Sequence, residues 1–136
     1  MKSVIQQEIT GGAIASFAAI AGISYPAAKK VANNLGIYAE DLAMWSETNY
    51  IRNLLGKFGI QASKREIPFS SWDSLPNCAL LSIKWHMKNN KPYWHCAVFV
   101  REEGTEYVLD SKKSLIRNAR LDFGRMKPKW FIEVKV

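Results

Sequence analysis

Apolar residues follow a helical pattern in the first half of the chain and a strand pattern in the second. Residues 13–21 are small and apolar almost all round, which is typical of a helix enclosed by protein. Gly11 and Gly12 precede this run, and Gly22 follows it. We therefore expect a central buried helix that starts at Gly12 and ends before Gly22.

Two further helices are predicted after the central one. Ser24 is a suitable N-cap for a helix that runs to about Asn34. Apolar residues at helical spacing predict a third helix, and they are Trp45, Ile51, Leu54, Leu55 and Phe58. Ser46 or Thr48 can cap the start of this helix, and Gly59 can stop it.

The second half of the chain has the pattern of a β-sheet. Short apolar or alternating runs predict strands over residues 78–85, 95–100, 105–110 and 130–136, with a weaker candidate at residues 60–67. Residues 88–92 are polar and predict a turn between the first two of these strands, and His86 is expected to be solvated where that turn begins. The order of elements predicts one α+β domain over residues 1–136, with N-terminal helices packed on a mostly antiparallel sheet.

The chain is basic, and the excess charge is concentrated in one segment. With 19 Lys and Arg against 12 Asp and Glu, the net charge is +7. Residues 111–129 hold seven basic residues and one acidic residue, a local net charge of +6. An anion or a nucleic acid is therefore one hypothesis for the partner. No helix-turn-helix, zinc-finger or RNA-binding motif accompanies the charge, so we favour a solvated cationic loop.

The cysteine count and the apolar runs bear on the compartment. Cys78 and Cys96 are too few for a disulfide scaffold and lack the spacing of a zinc or redox pair, so a reducing cytoplasm is the default. Residues 13–23 are too short to span a membrane, and polar residues 6–8 stand where the apolar core of a signal peptide would begin. We expect no membrane association and no metal or organic cofactor, while delivery into another cell as a secreted effector stays open.

His95 and Asp110 are the first candidate pair for chemistry. His95 opens one predicted strand and Asp110 ends the next, and in antiparallel geometry these two ends lie side by side. A carboxylate there can fix the tautomer of the imidazole, so that the second ring nitrogen acts as a base toward a nucleophile. A structural hydrogen bond is the commoner role for such a pair, so the assignment depends on the residues around it.

The start of the central helix supplies those residues. A side chain at position 12 would stand at the helix N-terminus, where the dipole and unpaired N–H groups stabilise an anion such as a thiolate. Gln6, six residues earlier, can complete an oxyanion hole with its side-chain amide. Position 12 is glycine, so the nucleophile itself is missing.

This arrangement resembles the papain-like cysteine peptidases, and most closely the bacterial family that cleaves double-glycine leader peptides from bacteriocin precursors, with its small stand-alone relatives. That family has a Gln, then a Cys that opens the central helix, and further on a His strand followed by an Asp. The chain matches the pattern with Gln6, with His95 in the run WHCAVFV, and with Asp110 at the end of YVLD.

The resemblance implies a papain-like fold and hydrolysis of a peptide or isopeptide bond in a peptide or protein substrate. It assigns Gln6 to the oxyanion hole, His95 to general acid and base catalysis, and Asp110 to the orientation of His95. Trp94, beside His95, is a candidate substrate contact. The family's cysteine falls on Gly12, so the chain is expected to lack covalent peptidase activity.

Two explanations of Gly12 stay open. The chain is either an inactivated form of an active enzyme, which the otherwise complete site favours, or a natural pseudopeptidase that binds peptides without cleaving them. Replacement of the nucleophile by another residue is disfavoured. Cys96 and Cys78 are expected to face the core, Ser16 is expected to be recessed on the central helix, and Thr10 is a more natural helix cap.

Overall fold

The computed structural model describes residues 1–42 and 46–136. These residues form four α-helices, which are α1 (Gly12–Ala21), α2 (Tyr25–Asn34), α3 (Asn49–Lys57) and the short α4 (Phe123–Met126). They also form seven strands, which are β1 (Gln61–Ala62), β2 (Ile67–Pro68), β3 (Cys78–Lys88), β4 (Lys91–Glu102), β5 (Thr105–Leu109), β6 (Ala119–Arg120) and β7 (Trp130–Lys135).

The strands pair in the order β1-β7-β3-β4-β5-β6, and β2 also pairs with β7. Every pairing in the described parts of the chain is antiparallel. β3, β4 and β5 form the predicted meander, and β7 returns to pair with β3 on its other side. The chain is therefore an α+β protein with a mostly antiparallel sheet, as the sequence predicts.

Successive side chains of the central strands point to opposite faces of the sheet, so the apolar core has two parts, one on each face. On one face, Cys96, Val98 and Val100 pack with the helices. On the other, Ala97 and Phe99 pack under loop residues and α4. α1 contacts α2, α3 and β4, and its residues from Ile14 to Ile20 are buried, so the prediction of a central buried helix is confirmed.

The ends of α1 and α2 have clear local causes. Gly22 terminates α1 with φ of 72°, a left-handed conformation that favours glycine. The Ser24 hydroxyl accepts a hydrogen bond from Ala27 N at 3.3 Å, which confirms the predicted cap of α2. The prediction that Thr10 caps α1 is wrong, because the N-cap position falls one residue later, on Gly11, which has no side chain to donate or accept.

α3 begins after Thr48, but the Thr48 side chain does not cap it. Its hydroxyl is instead hydrogen-bonded to Glu66 and Arg52. Trp45, which contributed to the predicted periodicity of this helix, lies outside the described residues.

The central hairpin is longer than the sequence pattern indicates. β3 and β4 extend through most of the predicted polar turn and leave only Asn89 and Asn90 as the connection. Both have positive φ, 52° and 63°, which asparagine tolerates in a two-residue hairpin turn. His86 therefore lies in β3 and not in a loop, although it is exposed as expected. Its ring stacks on that of Tyr93, with 6.1 Å between the ring centroids.

The weaker strand candidate at residues 60–67 is present as two short pieces, β1 and β2, which pair with successive parts of β7. Among the described residues, no helix combines the length and the hydrophobicity that crossing a bilayer requires.

Candidate active site

Gly12 is the first residue of α1 and faces the imidazole of His95. A Cβ atom built on Gly12 would lie 3.1 Å from both Nδ1 and Cε1 of that ring. The main chain of β4 is also close, since the same Cβ would lie 3.5 Å from the carbonyl oxygen of Cys96. A side chain at position 12 would therefore contact the Nδ1 edge of the His95 ring at the N-terminus of a buried helix, and the ring would have to shift by a few tenths of an ångström to admit it.

The opposite ring nitrogen of His95 is held by Asp110. His95 lies in β4, Asp110 directly follows β5, and Nε2 donates to Oδ1 of Asp110 at 2.7 Å. An ionised carboxylate can only accept, so the proton belongs on Nε2, and neutral His95 presents the lone pair of Nδ1 toward position 12. The predicted pair is therefore present, although His95 lies inside β4 and not at its start, where the sequence pattern places it. The bond leaves Nδ1 directed toward position 12.

Asp110 is buried, with 1% of its surface exposed, and its carboxylate accepts hydrogen bonds from several donors. Besides His95, it accepts from Arg120 Nη1 at 3.0 Å and from the main-chain N–H of Lys112 at 3.2 Å. Burial alone raises the pKa of a carboxyl group, but the hydrogen bonds from His95, Arg120 and the Lys112 N–H, with the charge of His95 when it is protonated, lower the pKa of Asp110 to about 2. Asp110 is therefore ionised at neutral pH, as the orientation of His95 requires.

Arg120 is shared by two carboxylates. It donates from Nε and Nη2 to Asp122, at 2.9 and 2.6 Å, as well as to Asp110. These bonds raise the pKa of Arg120, which is charged in any case at physiological pH. Sequence reasoning missed this residue because the pairing depends on how β6 lies against β5.

Gln6 is buried near Asp110, but its amide is already used. Its Nε2 donates to the main-chain carbonyls of Glu8 at 3.1 Å and Ile9 at 2.7 Å. Its Oε1 accepts from the Ser111 hydroxyl at 2.7 Å, and its main-chain N–H donates to the carbonyl of Ser111 at 3.0 Å. Gln6 thus ties the segment before α1 to the residue after Asp110, and both amide hydrogens point at protein acceptors.

The segment between Gln6 and α1 is also held by a contact between Tyr25 and Glu8, and this contact requires glycine at position 11. The Tyr25 hydroxyl donates to Glu8 at 2.8 Å, and Lys29 forms an ion pair with the same carboxylate at 2.6 Å. A Cβ on Gly11 would lie only 2.2 Å from the Tyr25 oxygen. The absence of a side chain at position 11 therefore allows Tyr25 to anchor the chain just ahead of Gly12.

A groove of about 410 Å³ lies beside this arrangement. We call it the basic groove, and its lining includes Ile9, Lys84, Trp94, His95, Lys112 and Lys113. Its volume is within the range of ordinary ligand pockets. A second cavity, of about 330 Å³, also includes Trp94 in its lining, together with Trp85 and Trp130.

Trp94, the residue before His95, lines both cavities. Its ring packs edge-on against Trp130 with 4.9 Å between centroids, which fixes its orientation. Gly12, His95 and Trp94 also share a space of about 10 Å³, which is at the lower limit for a water molecule. Position 12 is therefore tightly enclosed, while the groove beside it is open.

The alternative nucleophiles are placed as expected. Cys78 and Cys96 are buried, and burial raises the pKa of Cys78 to about 12 and that of Cys96 to about 11. Ser16 is recessed on α1, where its hydroxyl donates to the carbonyl of Cys96 at 3.3 Å. At neutral pH, neither thiol has appreciable thiolate character.

The basic segment of residues 111–129 does not form one continuous face. Lys112 and Lys113 line the basic groove, and Arg120 is engaged beneath it with Asp110. Lys129 lies over the Trp85 ring at 4.8 Å, beside the second cavity. The residues 1–42 and 46–136 contain no group of three His, Cys, Asp or Glu side chains that could hold a metal ion.

Comparison with models of known protein families gives no match, and no curated protein matches the chain either.

Proposed function

We propose that this site is that of a thiol-dependent peptidase with a papain-like fold, in which Gly12 occupies the position of the nucleophile. The supporting observation is the alignment of three groups: position 12 at the start of α1, Nδ1 of His95 facing it, and Asp110 behind the ring. In this proposal the three correspond to the nucleophile, the base and the carboxylate of a Cys-His-Asp triad. In the chain as given, the groove binds a peptide and no covalent step follows.

The chemistry follows from a cysteine at position 12. His95 accepts the thiol proton on Nδ1, and the resulting imidazolium is stabilised by ionised Asp110. The thiolate attacks the peptide carbonyl carbon to form a C–S bond. His95 then returns the proton to the departing amine as the C–N bond breaks. Water, deprotonated by His95, cleaves the thioester and releases the acid. Glycine has no atom that can form the C–S bond, so the sequence of steps cannot begin.

The oxyanion of this reaction needs donors beside position 12. The N–H groups in the first turn of α1 have no partners within the helix, and they require no rearrangement to act as donors. Gln6 can join them only if its amide turns away from the carbonyls of Glu8 and Ile9. In this proposal Gln6 both fixes the segment before α1 and contributes to the oxyanion hole once substrate is bound.

The test restores the nucleophile and measures its reactivity. Gly12→Cys should react with iodoacetamide at neutral pH faster than Gly56→Cys, since position 56 is an exposed helix position with nothing within 4 Å. Cys78 and Cys96 give little background, because burial raises both pKa values. His95→Ala in the Gly12→Cys chain should remove the enhancement. Equal rates for the cysteines at positions 12 and 56 would rule out the assignment of the site.

A second function, peptide binding without cleavage, is favoured by the groove itself. It needs no nucleophile, and the groove beside His95 is present with glycine at position 12. Calorimetry of the unaltered chain with glycine-rich leader peptides should show saturable heat. Absence of heat across the set would count against a pseudopeptidase.

A further inference from the structure

The basic groove contains lysines that form no direct ion pair with a carboxylate among the described residues, although the charge of Asp110 acts on Lys84. Lys84, Lys112 and Lys113 all line it, and none forms an ion pair with a carboxylate in the described parts of the chain. The carboxylate in the lining, Glu8, is already paired with Lys29. The groove therefore presents three lysine ammonium groups without a directly bonded carboxylate near His95.

Lys84 is aimed at the groove by an irregularity in β3. The register between β3 and β4 shifts after the pair Ile83–His95 and resumes at His86–Tyr93, so two residues of β3 oppose Trp94 alone. Lys84 is one of the two residues in this bulge, and its φ of 54° is a left-handed conformation that is strained for lysine. Bulges next to active sites re-aim side chains, and strain at such places accompanies function.

Lys112 is held next to Lys84 by a fixed loop. The Asn118 side chain donates to the carbonyls of Asp110 at 2.7 Å and Lys112 at 3.0 Å, and Asp110 N donates to the carbonyl of Asn118 at 2.8 Å. Partial burial, together with the nearby ammonium of Lys112, lowers the pKa of Lys84. Two like charges kept this close are stabilised when an anion binds between them.

We propose that the basic groove selects peptides that carry an aspartate or glutamate side chain, which Lys84 and Lys112 bind next to the position of the scissile bond. Lys113 adds charge at the same place, and Ile9, 94% exposed, offers an apolar contact to the neighbouring part of the peptide. This inference rests on the proposed function, because it treats the groove as the substrate site of that peptidase.

The experiment uses the unaltered chain, which binds without cleaving. The probes are N-acetylated, C-amidated octapeptides with a central Gly-Gly, in which one Glu is moved through the other positions, each with a matched Gln peptide. At low salt, calorimetry should show about threefold to tenfold tighter binding of Glu than of Gln at one position, and the preference should fade at high salt.

Variants locate the preference. Lys84→Ala and Lys112→Ala should each lower the ratio of Glu to Gln affinity, and the double variant should bring that ratio close to one. Lys30→Ala removes the same charge from an exposed position of α2 outside the groove lining, and it should keep the preference. Lys84→Arg should retain it, which separates loss of charge from disturbance of the bulge.

Failure of this inference can be told apart from failure of the proposed function. The reactivity of Gly12→Cys with iodoacetamide tests the proposed function, and the Glu preference tests the inference. A reactive thiol without any Glu preference, or with a preference that survives both lysine variants, overturns the inference and leaves the peptidase site standing. A preference for a free C-terminal carboxylate over an internal Glu also overturns it. An unreactive thiol with a lysine-dependent Glu preference overturns the assignment as substrate site.

Discussion

Asp110 makes a contribution to stability that can be calculated and measured. The pKa of its carboxyl group falls from an ordinary value of 3.8 to about 2 in the folded chain. A lowered pKa in the folded state stabilises the protein above the unfolded value, and this stabilisation is lost as the pH falls through the folded value. The difference corresponds to about 2 kcal/mol at neutral pH, and about half of it should be gone near pH 3.

The perturbation is Asp110→Asn, with urea unfolding followed by tryptophan fluorescence between neutral pH and about pH 3. Asparagine keeps one acceptor for the His95 or Arg120 donor, and Arg120 keeps its two bonds to Asp122, so no cation is left unpaired. The variant should lose about 2 kcal/mol or slightly more at neutral pH, with the loss shrinking by about 1 kcal/mol toward pH 3.

The matched control is Asp73→Asn, an exposed position that should leave the stability nearly unchanged across the same range. The reasoning about Asp110 is refuted if the loss at neutral pH is below about 0.5 kcal/mol, or if it stays constant as the pH falls.

Three further comparisons test the surroundings of the site by urea unfolding. The Lys84→Gly variant should be about 1 kcal/mol more stable than Lys84→Ala, because glycine adopts the positive φ of this position without strain. Alanine usually gives the more stable variant, and that order here would show that the bulge is unstrained. Gly11→Ala should lose about 1 to 3 kcal/mol by contact with the Tyr25 oxygen, and Tyr25→Phe in the same chain should recover part of it; additive losses would exclude the clash. Ser111→Ala should lose about 1 to 2 kcal/mol, since the buried Oε1 of Gln6 loses its donor, and an unchanged stability would mean that Gln6 finds another.

Local signals in the sequence were sufficient for α1, α2 and the central pair of the site, whereas the short α4 was not predicted. Gly12, Gly22 and Ser24 delimit α1 and α2 because each acts through its own backbone or through a bond to a residue three positions away. The proximity of His95 and Asp110 follows from the antiparallel pairing of β4 and β5, in which Leu109, next to Asp110, lies opposite Val98 in the interior of β4.

The missed features depend on contacts between distant segments or on backbone geometry. Nothing in the residues around Lys84 indicates a bulge, because lysine is not favoured at positive φ. The pairing of Arg120 with Asp110 depends on the position of β6. The direction of the Gln6 amide depends on Ser111, more than a hundred residues away. By contrast, the pair Asn89 and Asn90 could have predicted the tight turn.

The ionisation of a thiol at position 12 tests the central claim most directly. In Gly12→Cys, the ultraviolet absorbance of the thiolate is followed against pH, with the His95→Ala version of the same chain as control. Burial raises the pKa of Cys78 to about 12 and that of Cys96 to about 11, so their thiolates should add little absorbance near neutral pH. A thiol pKa well below the ordinary value of about 8.5, restored toward it by His95→Ala, is the predicted result. A pKa at or above about 8.5 in both chains would contradict the assignment of position 12 as the nucleophile site.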